Sequence, residues 1–222
     1  MVGPWFFVFL FTVSYLGVIV ISEYFYRKYL FNPEYSRKVA HSVASISSLL
    51  FLVAFDSYWY VFWLTVIFFT IFYVGRQKRV IRSFDSVGRK TAGTYLLPVA
   101  IFILFVISEY TGTTLYFVLS VLIVGVSDPL AGFFGTFYEK SSSKLVILGY
   151  NFDKTPVGSL AFLLSSLVIS YLVLQFFSYT GTELLLLTML VSLVATITEL
   201  VSRNGTDNLT VPIMVSLLIY FF

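Results

Sequence analysis

Three stretches of the chain carry acids, amides and bases that apolar helices do not need, and their spacing suits the binding of an anion and a metal ion. The first is Ser127-Asp128-Pro129-Leu130-Ala131-Gly132. Asp followed by Pro reads as a helix start, with Asp128 as N-cap and Pro129 at the first helical position. On such a helix Asp128, Ala131 and Gly135 share a face, and the two small residues admit close approach by another helix or by a phosphate chain. The second stretch is Lys154-Thr155-Pro156-Val157-Gly158-Ser159. It again reads as cap, proline and first turn, which makes either an ordinary capped helix or, with Lys154 and the Ser159 hydroxyl beside the unpaired amides, an anion cradle. It is shorter than a Walker A loop and is not one. The third stretch runs from Glu199 through Arg203 to Asp207-Asn208 and on to Pro212. Glu199 lies near the end of an apolar run, where an ionisable group is costly and points to function, or to a helix-end pair with Arg203 four residues on. Asp207 and Asn208 read as caps of the last helix and also offer the oxygen ligands that Mg²⁺ prefers. Arg37, Lys38 and His41 add a basic face at i, i+1 and i+4, in which the histidine is either a satisfied structural residue or an acid–base group.

The elements that must position these residues are membrane helices. Of 222 residues, 59% are hydrophobic and only 11% charged, too few to cover the surface of a soluble domain. The fold class expected is all-α: a polytopic bundle of about eight transmembrane helices forming a single domain, residues 1–222. Apolar runs fall at about 4–22, 39–55, 58–74, 94–108, 113–127, 157–178, 182–201 and 209–222. The first lacks the basic start and cleavage site of a secretory signal and is expected to be retained. All 14 Lys and Arg residues fall in the odd-numbered loops between these runs, whereas the even-numbered loops carry only Asp56, Glu109 and Glu183. The positive-inside rule then places both termini outside and the odd loops in the cytosol. The loop from Gly75 to Thr94 spaces Val80, Ile81, Phe84 and Val87 among its bases as a helix lying among headgroups would. The net charge of +3 is explained by these flanks, so no nucleic-acid partner is expected. With no cysteine and one histidine, any metal must be held by oxygen ligands. Asn204-Gly205-Thr206 and Asn208-Leu209-Thr210 are glycosylation sequons that this orientation leaves in the cytosol, unmodified.

Together these strings resemble the polyprenol kinase family, which includes dolichol kinase and the plant phytol and farnesol kinases. The resemblance covers about residues 37–212 and is densest after Gly125. It is carried by Asp128, Ala131 and Gly135; by Lys154, Thr155, Gly158 and Ser159; by Glu199 with Asp207-Asn208-Leu209-Thr210-Val211-Pro212; and by Arg37-Lys38-x-x-His41. Two positions depart from it. Glu139 stands where members often have a second glycine after Gly135, and Val157 where an acidic residue often precedes the Gly-Ser pair. The resemblance implies transfer of the γ-phosphate of CTP to the terminal hydroxyl of an isoprenoid alcohol, with Mg²⁺ as cofactor. Asp128 and Asp207, supported by Asn208 or Glu199, are then the expected metal ligands. Lys154, Lys144 and the Gly158 and Ser159 backbone are expected to hold the triphosphate, with Thr155, Ala131, Gly135, Arg37 and Lys38 also at the nucleotide. Either Glu199 or His41 is the expected base. The expected partners are CTP, the alcohol and the bilayer of a prokaryotic cell membrane or the endoplasmic reticulum, with the site on the cytosolic face. Rival expectations are a cytidylyltransferase acting on a lipid phosphate, a CTP-dependent diacylglycerol kinase and, from another class, a small transporter.

Overall fold

A computed structural model of the protein describes residues 3–29, 33–78, 92–138, 146–147 and 150–222. The fold is all-helical, apart from a two-residue antiparallel pair, Val146–Ile147 with Tyr150–Asn151. Among the described residues, seven helical stretches are long and apolar enough to cross a membrane. The first is α1, Pro4–Tyr29. The second is α2, Pro33–Ser47, carried on by a 3₁₀ turn into the short α3, Phe51–Ala54. Then come α4, Tyr58–Gln77, and α5, Gly93–Thr111. The fifth stretch joins α6, Leu115–Leu122, through a π-helical turn to α7, Asp128–Phe137. It is followed by α8, Pro156–Phe176, and α9, Gly181–Val201. The last helix, α10, Asp207–Phe221, has 15 residues. At 1.5 Å per residue it is about 22 Å long, short of a ~30 Å hydrocarbon core.

Seven of the eight expected runs therefore have spanning length, and one expected boundary is corrected. Asp128-Pro129 does not begin a new helix. Ser127 and Asp128 keep helical backbone angles, and the chain runs without a break from Leu115 to Phe137. The physical reason lies in Pro129, which has no amide to donate to the carbonyl four residues back. The helix widens into a π turn over Ile123–Ser127 instead of ending. Asp128, expected as a cap, thus becomes an interior position facing the bundle. Thr155 and Pro156, by contrast, begin α8 as their types predict: the Thr155 hydroxyl accepts the Gly158 amide at 3.1 Å.

The α6–α7 helix is the hub, with 56% of its most apolar window buried against 22–39% for the other six. Phe117, Leu119 and Ile123 on it are fully enclosed, as are Phe162 on α8, Leu187 on α9 and Val211 on α10. Buried hydroxyls stitch these helices together where side chains are small: Ser120 meets Ser216 at 3.2 Å, and Ser192 meets Ser170 at 3.5 Å. The bundle has two chemically distinct ends. At one, Trp5 packs edge-on against Tyr60, and Glu109 accepts the Tyr58 amide at 2.8 Å where α4 begins. At the other, α2, α5, α8 and α10 begin and α9 ends, and here the polar motifs meet.

Candidate functional site

Residues from four helices, α2, α7, α9 and α10, and from the loops ahead of α8 and α10 converge at this second end. Asp128, Glu199 and Asp207 bring carboxylate oxygens within 4.8 Å of one another. Asp128 comes from the π turn, Glu199 from the last turns of α9 and Asp207 from the first turn of α10. Two lysines neutralise them. Lys38 of α2 donates to both Asp128 carboxylate oxygens at 2.8 Å and to its backbone carbonyl at 3.1 Å. Lys154, just ahead of α8, bridges Glu199 Oε1 at 2.5 Å and Asp207 Oδ2 at 2.8 Å. Burial would lower the Lys154 ammonium, but the carboxylates of Asp207, Glu199 and Asp128 raise it above the usual lysine range. It stays charged at any physiological pH. Three carboxylates, Asp128 and Glu199 buried and Asp207 half-buried, face two lysines, and one oxygen is left over: Glu199 is 2% exposed, and its Oε2 has no hydrogen-bond partner. Such an orphan is costly unless something else binds there.

Asp128 and Asp207 line a cleft whose walls also include Arg37, Lys38, Lys154, Arg203 and Asn208. Asn208 is held in place, its side-chain amide donating to the Gly93 carbonyl at 2.9 Å. The Ala92 amide in turn donates to the Asn204 carbonyl at 2.8 Å, so the start of α5 and the loop before α10 are clipped together.

His41 stands one turn deeper on α2. Its Nε2 lies 3.2 Å from the Val124 carbonyl, a group of the π turn. A carbonyl can only accept, so Nε2 carries the proton and Nδ1 keeps a lone pair. Beyond the cleft, between α1, α2, α4 and α5, lies a larger and mostly apolar cavity. Arg37 and Asn208 line both spaces, and His41 lines the cavity.

The structure thus brings Arg37, Lys38, His41, Asp128, Lys154, Glu199, Asp207 and Asn208 to one place. It puts others to a different use. The Gly158 amide, expected to face an anion, is already taken by Thr155. A methyl on Gly158 would come within 2.9 Å of the Ala131 carbonyl, and one on Gly135 within 2.9 Å of the Thr155 hydroxyl. Ala131, Gly135, Thr155 and Gly158 therefore form a tight α7–α8 crossing. Of the two roles open to small residues, close approach to another helix is the one realised. The Ser159 hydroxyl is buried without a partner, and its amide donates to the Thr155 carbonyl. Glu199 pairs with Lys154, a partner that sequence spacing did not offer. Lys144 and Glu139 lie outside the described residues, as does most of the 75–94 loop.

Sequence reasoning missed three contributors. Gly132 makes room for Lys38, whose Cε would lie 2.6 Å from a methyl there. The Val124 carbonyl fixes the His41 tautomer, and no residue type announces a π turn. Asp153 lines the cleft, and its only signal was adjacency to Lys154. Compared with protein-family models, with curated proteins and with solved structures, the chain matches none.

Proposed function

We propose that this protein is a CTP-dependent lipid kinase. It would move the γ-phosphate of CTP to the terminal hydroxyl of an isoprenoid alcohol at the inner leaflet of a membrane that it crosses eight times, with both termini outside. The observation that carries this reading is a juxtaposition: a three-carboxylate cluster with an orphaned oxygen sits at a cleft that shares Arg37 and Asn208 with a mostly apolar cavity lined by His41. The motif resemblance set out above supplies the nucleotide and the alcohol.

The donor set suits Mg²⁺, which takes oxygen ligands and is held by a few carboxylates together with substrate phosphates. Asp128, Asp207 and Glu199 would hold it, and when bound it neutralises charge on the transferring phosphoryl group. Lys38 and Lys154, which screen those carboxylates in the structure, are the cations best placed to turn to phosphate oxygens, with Arg37 and Asn208 alongside. His41 is assigned the base, because it lines the acceptor cavity with Nε2 taken by the Val124 carbonyl, which leaves Nδ1 for the proton, and Glu199 is committed to the carboxylate cluster. The alcohol oxygen bonds to the γ-phosphorus, the bond from that phosphorus to the β,γ-bridging oxygen breaks, and CDP leaves. The hydroxyl proton passes to His41 Nδ1.

Incubation with γ-labelled CTP tests this directly. Label in the lipid together with CDP is expected. Label in pyrophosphate would overturn it in favour of a cytidylyltransferase, and transfer to diacylglycerol alone would reassign the acceptor. The gathering of charge at one end of the bundle, rather than midway along interrupted helices, weighs against a transporter.

A further inference from the structure

The cavity above the cleft has features that bear on which lipid is used. Its walls are α4 side chains such as Leu64 and Phe68, α5 side chains such as Leu97 and Ile101, and Ala44 on α2. Polar groups line it mainly at the cleft end: Arg37, His41, Thr94 and Asn208. Deeper in, the two hydroxyls on the wall are already satisfied. Tyr15 receives the Ser47 hydroxyl at 3.0 Å, and Thr65 is within 3.1 Å of the Val61 and Pro98 carbonyls. The far end is closed by aromatic rings. Phe51 meets Phe11 at 4.8 Å and Phe55 at 5.4 Å, and Phe55 stacks on Tyr60 at 5.7 Å. From Phe72 to Val61 on α4 is about 16 Å, and from Arg37 to Phe51 about 21 Å, at 1.5 Å per residue. That is roughly half to two-thirds of a ~30 Å hydrocarbon core. An open groove between α1 and α4 shares Ile19 with the cavity.

We infer that this cavity takes the hydrocarbon tail of a single-chain alcohol, hydroxyl toward His41, and that the Phe11–Phe51–Phe55 cluster sets the longest tail that fits. The inference rests on the kinase reading for what happens at the hydroxyl, but not for the binding itself. A single tail is favoured because His41, Gly93 and Asn208 line the cavity together where the hydroxyl would sit, the last two tied by their hydrogen bond. The wall below offers hydrocarbon and no open polar partner, which suits an isoprenoid or alkyl tail.

The test uses the full-length protein in lipid nanodiscs and a series of all-trans prenyl alcohols from farnesol upward, some carrying a terminal diazirine. Photolabelling without CTP should mark α2, α4 and α5 residues inside the cavity. Ala44→Phe, which fills the cavity midway, should lower the ratio of long-chain to short-chain transfer and labelling by roughly tenfold or more, the scale on which an apolar pocket reads size. Phe51→Ala, which deepens the floor, should move the longest accepted alcohol upward. Labelling confined to the outer, lipid-facing surfaces, or length profiles unmoved in both variants, overturns the inference even if the kinase assay succeeds. Cavity labelling with no phosphoryl transfer to any alcohol would overturn the kinase reading and leave the cavity assignment standing. Preferred labelling by diacylglycerol overturns the single-chain assignment. Should Ala44→Phe fail to fold, Phe51→Ala and the label map decide.

Discussion

Each carboxylate at the site has a lysine partner in the structure, so substitutions there read differently according to which charge is removed. Asp128→Asn and Asp207→Asn each keep an oxygen for the lysine while losing the charge that would bind a metal. Transfer from labelled CTP should fall by roughly a hundredfold or more in each, with the helical circular dichroism in detergent retained. Near-normal turnover in both would refute the metal assignment. Lys154→Ala is the opposite case, because it strips Glu199 and Asp207 of their shared counter-charge in a site where Glu199 is 2% exposed. Leaving buried charges unpaired costs about 3–5 kcal/mol, visible as a large drop in melting temperature. His41→Gln should reduce turnover by about a hundredfold or more without weakening CTP binding, since its role is toward the acceptor. Asp128, Glu199 and Asp207 were legible in the sequence because charge is expensive beside apolar runs. Their pairing was not, since Lys38 and Asp128 are 90 residues apart and only the packing of α2 on the π turn joins them.

Among the elements, the π turn has the most consequence. It aims both Asp128 and the Val124 carbonyl, and it follows from a proline placed where a helix would otherwise continue. Pro129→Ala restores the missing donor, and a collapse of the π turn to regular α-helix would rotate one side against the other by about 100° per residue. Activity should fall by roughly tenfold or more while thermal stability holds or rises. Full activity would show that the turn does not aim Asp128. The α7–α8 crossing gives a contrasting prediction. Gly158→Ala drives a methyl to within 2.9 Å of a backbone carbonyl, which cannot move as a side-chain tip can. It should cost about 1–3 kcal/mol, seen as a lower melting temperature. Thr155-Pro156 as a helix start was readable because cap and proline chemistry is local. Asp128-Pro129 carries the same local signal, and tertiary packing overrode it.

For the whole molecule, alternating apolar runs and loops predicted an all-helical bundle, and seven of those runs have spanning length. The cavity was invisible in sequence, because its lining residues look like any others that face a neighbour. Sidedness has one clean reporter. Asn204 is exposed and in the left-handed region at φ 55°, so it should stay unglycosylated in a glycosylating host if its loop is cytosolic, and a glycan there reverses the orientation. Asn208 reports nothing, since its amide is buried against Gly93 and would be bare on either side. The two lysines that clamp the acids carry a last consequence. On the proposed reading they hold the place of a dication, so chelator treatment should leave the helical circular dichroism intact, unlike proteins that unfold when stripped of metal. Loading would then be an exchange: magnesium would displace the ammonium groups, and incoming phosphates would rehouse them. Titration calorimetry should find each ligand weak by itself and tightened by the other to the same degree, a reciprocal synergy built into the resting state.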